Sequence, residues 1–390
     1  MNQDIPQIGF ETSEFALRTE RAQRLMKTLN VDGLLLTTEP EVRYFSGFHT
    51  AFWLSPTRPW FLVVPREGKP IAVIPEIGGT RMNETWLDDI VMWPAPRPND
   101  EGITELTATI KGLKKISGVI GVPMGTESHI RMPFSDFKKL QENIRGIQLV
   151  DASPLIQELR KIKSEAEISK IRYICQRVSE GFLELPKIAN LGDEEKEIFR
   201  KFRIDLLARG ADEVPYLVGG SGPKGPTEVI GMPSDRNLTK GDMLMMDTGA
   251  VFDGYFSDFD RNFCFGSVDE TVTAAYDVVY RATDAGLKAA RPGITAEGLW
   301  KVMADVLSES TSSKNAVGRL GHGLGMQLTE WPSNMKGDTT LMQPGMVMTL
   351  EPCIEFADGR IMVHEENIVI RDGEPELLSI RAPSEIPLIY

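Results

Sequence analysis

The sequence predicts a two-domain α+β protein, in which an α/β layer is followed by antiparallel strands flanked by helices. Its 390 residues, 41% of them hydrophobic, exceed one typical domain and can bury a sizeable core. Short strand-like runs alternate with helical patterns in the first part, whereas pairs of antiparallel strands are predicted in the second. Near Leu155 the sequence becomes charged and helical, which predicts domains at 1–155 and 156–390.

The composition indicates which partners the protein can bind and in which compartment it is found. The net charge of −13 argues against a nucleic-acid partner, because phosphate binding requires clustered lysine and arginine. Cys175, Cys264 and Cys353 are odd in number and far apart, which is typical of a reducing compartment. No apolar run reaches the roughly eighteen residues of a membrane span, and the first residues lack signal-peptide features. We therefore expect a cytoplasmic protein that binds neither nucleic acid nor membranes.

The first domain begins with a predicted amphipathic helix over residues 14–29, with Leu17, Leu25 and Leu29 among its apolar positions. Short apolar runs predict strands at 34–36, 61–64, 71–74 and 119–122, and helical patterns lie around 105–113 and 134–144. This alternation predicts a mixed sheet with helices on its faces. A glycine-rich phosphate loop is missing from this half, so we expect no nucleotide site there.

The segment 44–60 combines many aromatic residues with a histidine and an arginine in a turn-rich stretch. The simpler interpretation is an ordinary loop that covers the core. The functional interpretation is a lid that supplies an apolar wall, with Trp53 in it and with His49 or Arg58 meeting a substrate carboxylate.

The second domain opens with Ser164 and Glu167 at the spacing of a helix capping box. Helices are predicted at 165–188, 192–209, 271–290 and 295–309, and strands at 243–248, 255–265, 346–352 and 361–371. The glycine-rich segment 219–226 is predicted to be a tight loop. It lacks the pattern of a phosphate-binding loop, so a backbone turn near the site is the better interpretation.

A predicted hairpin brings two acidic residues together. Asp253-Gly254 is a turn signal between two apolar-rich runs, and it predicts that Asp247 and Asp258 lie side by side on neighbouring antiparallel strands. Two carboxylates held close repel each other unless a cation lies between them. A hairpin that merely carries turn-forming aspartates is the alternative for this stretch alone.

Downstream residues favour a metal site. His322 lies between glycines that allow a close approach of the backbone, and Glu351 and Glu365 stand in or beside apolar strands. Acidic groups in buried runs are costly without a compensating charge, so these side chains are predicted to meet the two aspartates at one interior point. Carboxylates and an imidazole suit Mn²⁺, Fe²⁺, Co²⁺ or Zn²⁺, and two ions would neutralise the four acids.

The motifs around these residues resemble those of the pita-bread metallopeptidases, which include methionine aminopeptidase, prolidase, aminopeptidase P and the related creatinase. In chain order the matching motifs are Met246-Asp247-Thr248-Gly249, Gly254-Tyr255-Phe256-Ser257-Asp258-Phe259-Asp260-Arg261, Gly321-His322-Gly323-Leu324-Gly325, Leu350-Glu351-Pro352 and Val363-His364-Glu365-Glu366-Asn367. The resemblance implies a C-terminal pita-bread (creatinase/aminopeptidase) catalytic domain after a creatinase-like N-terminal domain. It also implies a homodimer in which the partner's N-terminal domain borders the active site.

The resemblance assigns roles residue by residue. It implies that two divalent metal ions bind to five ligands, namely Asp247, Asp258, His322, Glu351 and Glu365. Glu351 would also serve as the general base or acid. Glu365 and Glu366 are adjacent and point to opposite faces of a strand, so only one can bind metal. Aligning the apolar residues 368–370 with the family's strand favours Glu365.

Three positions depart from the family pattern. Ile230 stands where a histidine normally precedes the first aspartate motif, and Thr329 replaces a second histidine seven residues after His322. Those imidazoles stabilise the tetrahedral intermediate and help to move its proton, so their loss puts ordinary peptide hydrolysis in doubt. Asp260 replaces a usual threonine. It either adds a carboxylate at the edge of the metal site or forms an ion pair with Arg261 or another base.

The function we expect is a dinuclear metal-dependent hydrolase that cleaves the C–N bond of a small peptide or amide, as an Xaa-Pro dipeptidase or aminopeptidase does. The candidate substrate-binding residues are His49, Trp53, Arg58, Thr329 and Glu330. The alternative is a non-peptidase of the same fold, such as a small-amide hydrolase or an enzyme similar to dimethylsulfoniopropionate lyase. A binding protein without turnover is disfavoured, because unused buried carboxylates would cost stability.

Overall fold

The computed structural model describes residues 5–56, 58–114, 117–309, 314–315 and 318–390. Contacts divide the chain into two compact units, whose boundary falls between Arg160 and Lys161. The sequence placed the boundary at 155/156, which lies inside the helix Ser153–Arg160.

The first unit has a mixed sheet among its described residues, as the sequence predicted. Its six strands, in spatial order β4-β3-β2-β1-β5-β6, are β1 Gly33–Leu36, β2 Phe61–Pro65, β3 Ile71–Pro75, β4 Asp89–Trp93, β5 Val119–Val122 and β6 Gln148–Asp151. The strand β1 pairs antiparallel with β2 and parallel with β5. The helices are α1 Thr12–Leu29, α2 Glu39–Ser46, α3 Gly79–Met82, α4 Ile103–Gly112, α5 Phe134–Asn143 and α6 Ser153–Arg160.

The apolar face predicted for the helix α1 is wrong, although the helix itself is confirmed. Leu17 and Leu29 are exposed. The helix instead buries Phe15, Arg18, Thr19, Ala22 and Met26. Arg18 is accommodated because its guanidinium donates to the Tyr44 carbonyl oxygen at 3.0 Å and lies 4.4 Å from the centre of the Tyr44 ring. A cation packed on aromatic rings can therefore occupy a core position that apolar periodicity does not identify.

The second unit combines three sheets with four helices among the described residues. The helices are α7 Glu165–Ile188, α8 Glu195–Ala208, α9 Glu270–Ala289 and α10 Ala296–Leu307. The strands are β7 Glu213–Pro223, β8 Asp242–Phe252, β9 Tyr255–Phe256, β10 Phe259–Phe265, β11 Lys314–Asn315, β12 His322–Gly323, β13 Glu330–Ser333, β14 Val347–Leu350, β15 Cys353–Phe356, β16 Arg360–Val363, β17 Glu366–Val369, β18 Glu376–Leu377 and β19 Leu388–Ile389.

Two of these sheets carry the residues of interest. One has the order β19-β10-β8-β7, with β9 paired to β8, and the other has the order β13-β12-β14-β17-β18. The helices α9 and α10 pack on an apolar core that includes Val279, Leu299, Met303, Met348 and Leu350. The second sheet therefore has one face covered by helices, as expected for an α+β layer.

The structure confirms the hairpin at Asp253-Gly254 and corrects its register. Phe252 pairs with Tyr255, and both turn residues have positive φ, as a two-residue hairpin loop of this kind requires. The residue that lies opposite Asp247 is Asp260, and Asp258 precedes the strand β10 by one residue. The predicted strand 255–265 is thus interrupted at residues 257–258.

Two further strand predictions need correction. The segment 361–371 forms two strands, β16 and β17, which are separated at residues 364–365. The segment 219–226 is not a loop throughout, because β7 continues to Pro223 and pairs with β8 along its length. Gly219 allows this pairing: its φ is +135°, and a Cβ there would lie 2.1 Å from the Met245 carbonyl oxygen.

In the described part of the chain, no helix has the length and apolarity needed to cross a membrane. The three cysteines, Cys175, Cys264 and Cys353, are buried and unbridged.

The capping box at the start of α7 is confirmed. The Glu167 amide donates to Ser164 Oγ at 3.3 Å, and the Ser164 amide donates to Glu167 Oε2 at 2.9 Å. Two amides at the helix N-terminus, which would lack partners within the helix, are satisfied in this way.

We predict that Ser164→Ala destabilises the protein by about 1 kcal/mol, because the Glu167 amide loses its acceptor. The midpoint of urea unfolding, at an unchanged m value, measures the effect. Ser169→Ala is the matched control: its hydroxyl bonds only to the Ala166 carbonyl within the same helix, at 2.8 Å. An equal loss in both variants would contradict a capping role for Ser164.

Candidate metal centre

Three ligand-type side chains converge in the interior of the second unit. One donor atom from each of Asp258, His322 and Glu365 lies within 4.8 Å of the others, and all three residues are buried. They come from three separate places: the end of the β9–β10 connection, the start of β12 and the residue before β17. A divalent cation needs such convergence of oxygen and nitrogen donors from distant parts of a chain.

Asp258 is held by an amide clamp from the neighbouring sheet. Asn367, on β17, accepts a hydrogen bond from the Asp258 amide at 2.9 Å, and its Nδ2 donates to the Asp258 carbonyl oxygen. The Cys175 thiol donates to the same Asn367 oxygen at 3.2 Å. The clamp fixes the backbone at the interruption between β9 and β10, and thereby aims the Asp258 carboxylate.

His322 is positioned by close packing of the glycines beside it. A Cβ on Gly321 would lie 2.2 Å from the Thr349 carbonyl oxygen, and one on Gly323 would lie 2.6 Å from that of Trp331. The predicted close approach of the backbone is confirmed. His322 Nδ1 lies 2.9 Å from the Gly323 carbonyl oxygen, and Nε2 lies 3.4 Å from Asp258 Oδ2. With the proton on Nδ1, the lone pair on Nε2 faces the carboxylates.

Asp247 and Glu351 belong to the same charge cluster. Burial raises the pKa of Asp247 well above its usual range, and the charges of Asp258 and Glu351 raise it further. Burial also raises the pKa of Glu351 to about 7, while His322 and Arg319 oppose this shift. The converging donor atoms are thus those of Asp258, His322 and Glu365, while Asp247 and Glu351 interact with this group through their charges.

The structure distinguishes the two adjacent glutamates. Glu365 is in the cluster, and the pKa of its carboxyl is raised well above normal by burial and then by Asp258 and Glu351. Glu366 lies on the other side of the chain. It accepts hydrogen bonds from Arg261 at 2.9 Å and Arg381 at 3.1 Å. Arg261 and Arg381 thus pair with the Glu366 carboxylate and not with that of Glu365.

Buried oxygens without partners mark the centre of the cluster. Asp247 Oδ1, Asp260 Oδ1 and Glu365 Oε1 have no hydrogen-bond partner among the described residues. In the part of the chain whose side chains are described, no lysine or arginine forms an ion pair with the four predicted acidic ligands, Asp247, Asp258, Glu351 and Glu365. Burying such oxygens costs free energy that a bound cation would recover, so the donor set fits a divalent metal centre.

Two residues near the cluster were missed from the sequence. Tyr216, on β7, lies near Asp247, and its pKa is raised by burial and then by the charges of Asp247 and Asp258. Burial raises the pKa of both Asp258 and Glu351, and the positive charge of Arg319 opposes this rise. No local sequence signal identifies Tyr216. Arg319 could have been identified, because it lies three residues before His322 in the sequence.

The positions that lack the family histidines have other surroundings. Ile230 is exposed. Thr329 Oγ1 accepts a hydrogen bond from Arg319 Nη2 at 3.4 Å. Glu330 is buried and forms an ion pair with Lys163 at 2.9 Å, and it also accepts from the Gln327 amide at 3.2 Å. The carboxylate of Glu330 is therefore neutralised within the fold.

The candidate substrate residues of the first unit lie in the segment 49–58. His49 is exposed, and its Nδ1 lies 3.1 Å from Arg43 Nη1. Trp53 is buried, with the guanidinium of Arg131 5.1 Å from its ring centre. The Arg58 guanidinium lies 5.3 Å from the centre of the Phe52 ring.

Comparison with known proteins gives matches along almost the whole chain. Residues 18–162 match the Creatinase/Prolidase N-terminal domain, and residues 169–372 match Metallopeptidase family M24. The chain is 27% identical to a probable dipeptidase PepE of Mycobacterium tuberculosis over 381 residues, which are 97% of this chain and 98% of that protein. It is 25% identical to an Xaa-Pro dipeptidase of Pyrococcus horikoshii, over 93% of this chain and 97% of that protein.

Solved structures share the fold. The crystal structure of dipeptidase PepE from Mycobacterium ulcerans has a TM-score of 0.85 at 25% identity, covering 98% of this chain and 99% of that one. A prolidase from Thermococcus sibiricus, at 24% identity, has a TM-score of 0.86 and covers 97% of this chain and 100% of that one. The two-domain fold, a creatinase-like N-terminal domain before a pita-bread domain, is thereby established. Because the family match spans more than half of its residues, the chain belongs to metallopeptidase family M24.

Proposed function

We propose that the protein is a hydrolase that uses two divalent metal ions to cleave the C–N bond of short peptides, with Xaa-Pro dipeptides as the first substrates to test. One observation carries the proposal: the donor atoms of Asp258, His322 and Glu365 lie within 4.8 Å of one another in the interior. Membership of a metallopeptidase family supports the hydrolytic class. The names of the relatives, dipeptidase and Xaa-Pro dipeptidase, support the choice of substrate.

The residues proposed to hold the ions are Asp247, Asp258, His322, Glu351 and Glu365. Divalent ions bound there would supply a Lewis acid for the substrate carbonyl and lower the pKa of a bound water. The protein itself holds the ligand side chains in a fixed arrangement. The Asn367 clamp and the close packing around Gly321 and Gly323 contribute to this.

Glu351 is proposed to carry the proton of the reaction. Glu351 lies in the charge cluster with Asp258 and His322, and a carboxylate held next to the reacting groups can both accept and return a proton. Its carboxylate would take a proton from the attacking water and pass it to the leaving nitrogen. The carbonyl carbon then gains the water oxygen, the C–N bond breaks, and the amine leaves with the proton.

Tyr216 and Arg319 are proposed to replace the two missing imidazoles in part, by stabilising the tetrahedral intermediate. The raised pKa of Tyr216 keeps its hydroxyl protonated and able to donate a hydrogen bond. Arg319 is half-buried beside Thr329, and its positive charge acts on Asp258 and Glu351. A fixed donor and a fixed cation can stabilise negative charge that develops on a substrate oxygen.

The first unit is proposed to contribute to substrate binding from the partner subunit of a homodimer. This part rests on the family resemblance alone. His49 and Arg58 would meet the free carboxylate of a dipeptide, and Trp53 would belong to the apolar wall.

We predict that the protein loaded with Mn²⁺, Co²⁺, Fe²⁺ or Zn²⁺ hydrolyses an Xaa-Pro dipeptide, measured by release of free proline. Glu351→Gln should lower kcat by roughly 10²–10⁴-fold, because proton transfer is lost. Glu355→Gln, four residues on and on the strand β15, is the matched control and should retain activity. Absence of turnover with all four metals, on dipeptides and longer Xaa-Pro peptides, would refute the proposed activity.

We also predict that purified protein binds two divalent ions per chain, counted by elemental analysis after dialysis against Mn²⁺. Asp258→Asn and His322→Ala should each reduce this number, because they remove donors from the cluster. Glu355→Gln again serves as the control. Metal content that stays the same in all variants would place the ions elsewhere.

The metal-free protein should lose stability as pH rises from about 6 to 8. The folded-state pKa values of Asp247, Asp258 and Glu365 are raised, and that of Glu351 is about 7. Stability is therefore full below the unfolded-state pKa of about 4 and is lost as pH rises through the folded-state values. The Tm should fall by roughly 2–4 °C per kcal/mol lost.

Thermal unfolding in a chelating buffer at several pH values measures this slope. Glu365→Gln should flatten it, because one of the buried acids can no longer ionise. A Tm that is constant or rises over this range in the wild-type protein would show that the cluster does not carry the buried acids in the protonated form.

A further inference from the structure

Asp260 lies near the metal centre but is not one of the five proposed metal ligands. On β10 it is directly opposite Asp247 on β8, and residues paired in this way in an antiparallel ladder project from the same face. Asp260 is 1% exposed. The carboxyl group therefore projects from the same face of the ladder as Asp247, two residues after Asp258.

One oxygen of Asp260 is anchored and the other is not. Asn262 Nδ2 donates to Asp260 Oδ2 at 2.9 Å and to the Val363 carbonyl oxygen at 2.7 Å. Asp260 Oδ1 is buried and has no hydrogen-bond partner among the described residues. The Asn262 amide thus fixes the rotation of the carboxylate and leaves Oδ1 as an acceptor beside Asp247.

An ion pair with Arg261 does not explain Asp260. The Arg261 guanidinium donates to the backbone carbonyl oxygens of Asp260 and Glu365, at 2.7 and 2.8 Å. Its side-chain partner is Glu366, at 2.9 Å. In the described part of the chain, no lysine or arginine forms an ion pair with the Asp260 carboxylate. Of the two interpretations drawn from the sequence, the ion pair is therefore disfavoured.

We propose that Asp260 is an additional ligand of the metal centre, and that its Oδ1 binds the divalent ion that is also bound by Asp247. The inference rests on the proposed metal centre but not on the identity of the substrate. Asp260 Oδ1 is a buried oxygen without a partner, on a carboxylate that Asn262 holds and that lies opposite Asp247 in the ladder. A hard cation favours an oxygen ligand of this kind.

The fifth carboxylate changes the charge of the site. With Asp247, Asp258, Glu351 and Glu365, it brings the acidic charge to −5 against +4 from two divalent ions. Hard, oxygen-preferring ions are favoured by each added carboxylate, whereas a threonine at this position would offer a neutral hydroxyl. Binding of metal is therefore expected to be tighter here than with threonine at residue 260.

The test compares Asp260→Asn and Asp260→Thr with wild-type protein, using Mn²⁺ alone as the probe. Affinity is measured by isothermal titration calorimetry, and the Tm is measured with and without Mn²⁺. We expect both variants to bind the weaker Mn²⁺ ion about 10–100-fold less tightly. We also expect the metal-free Tm of Asp260→Asn to rise and its gain in Tm with Mn²⁺ to shrink, since a like charge is removed beside Asp247.

Asp242→Asn is the matched control, because Asp242 is a buried acid on the same strand as Asp247 but is paired with Arg236 at 2.6 Å. It should lower the metal-free Tm and leave the affinity for Mn²⁺ within about twofold. A purely structural Asp260, serving only as acceptor for Asn262, predicts the same behaviour for Asp260→Asn. That result would overturn the proposal.

A crystal structure of the wild-type protein with Mn²⁺ keeps the test decisive if the variants do not fold. An Asp260 oxygen about 2.0–2.3 Å from an ion supports the proposal. An ion bound by Asp247 without contact to Asp260 overturns it and leaves the proposed function intact. If the wild-type protein takes up no Mn²⁺, Co²⁺, Fe²⁺ or Zn²⁺, both proposals fail together.

Discussion

The second unit depends on one electrostatic constraint, the burial of several carboxylates that form no ion pair with a lysine or arginine among the described residues. Burial raises the pKa of Asp247, Asp258, Asp260 and Glu365 well above normal, and oxygens of three of these residues have no partner among the described residues. Such an arrangement is costly in the absence of a ligand. It is maintained because rigid neighbours hold each group: the ladder between β8 and β10, the Asn367 clamp on Asp258, and the close backbone packing around His322.

Several lysines and arginines of the second unit form ion pairs with acids outside the predicted ligand set. Arg261 and Arg381 neutralise Glu366, and Lys163 neutralises Glu330. Lys170 forms a buried pair with Asp253 at the tip of the hairpin, at 2.5 Å. The fold thus satisfies the acids around the site with basic side chains and leaves the central acids for a ligand. This separation of paired from unpaired acids identifies the site more sharply than the number of acids does.

The sequence predicted the elements well and the details near the site less well. The helix α7 and its capping box follow from local patterns, and so does the turn at Asp253-Gly254. Two predicted strands, however, are interrupted at Asp258 and at Glu365, because these side chains leave the regular ladder to reach the interior. Apolar patterning does not reveal such interruptions, because the residues on both sides of the break include apolar residues, as a continuous strand would.

The remaining differences have a similar origin in long-range contacts. The register that sets Asp260 opposite Asp247 depends on hydrogen bonds between strands, not on residue spacing alone. Tyr216 reaches Asp247 only because β7 runs on through Gly219 and pairs with β8. Arg18 is buried through contacts with Tyr44, far away in the chain. Each of these depends on residues that are brought together by the tertiary fold, which local pattern does not describe.

The Asn367 clamp has a consequence for the order of assembly. It joins Asp258, from the sheet of β8 and β10, to β17 in the other sheet, so the aspartate is correctly oriented only after the two sheets have docked. A folding intermediate with either sheet alone would present an incomplete set of donors. High affinity for an ion then develops late in folding, and an ion present during folding would stabilise the fully folded chain more than its partly folded precursors.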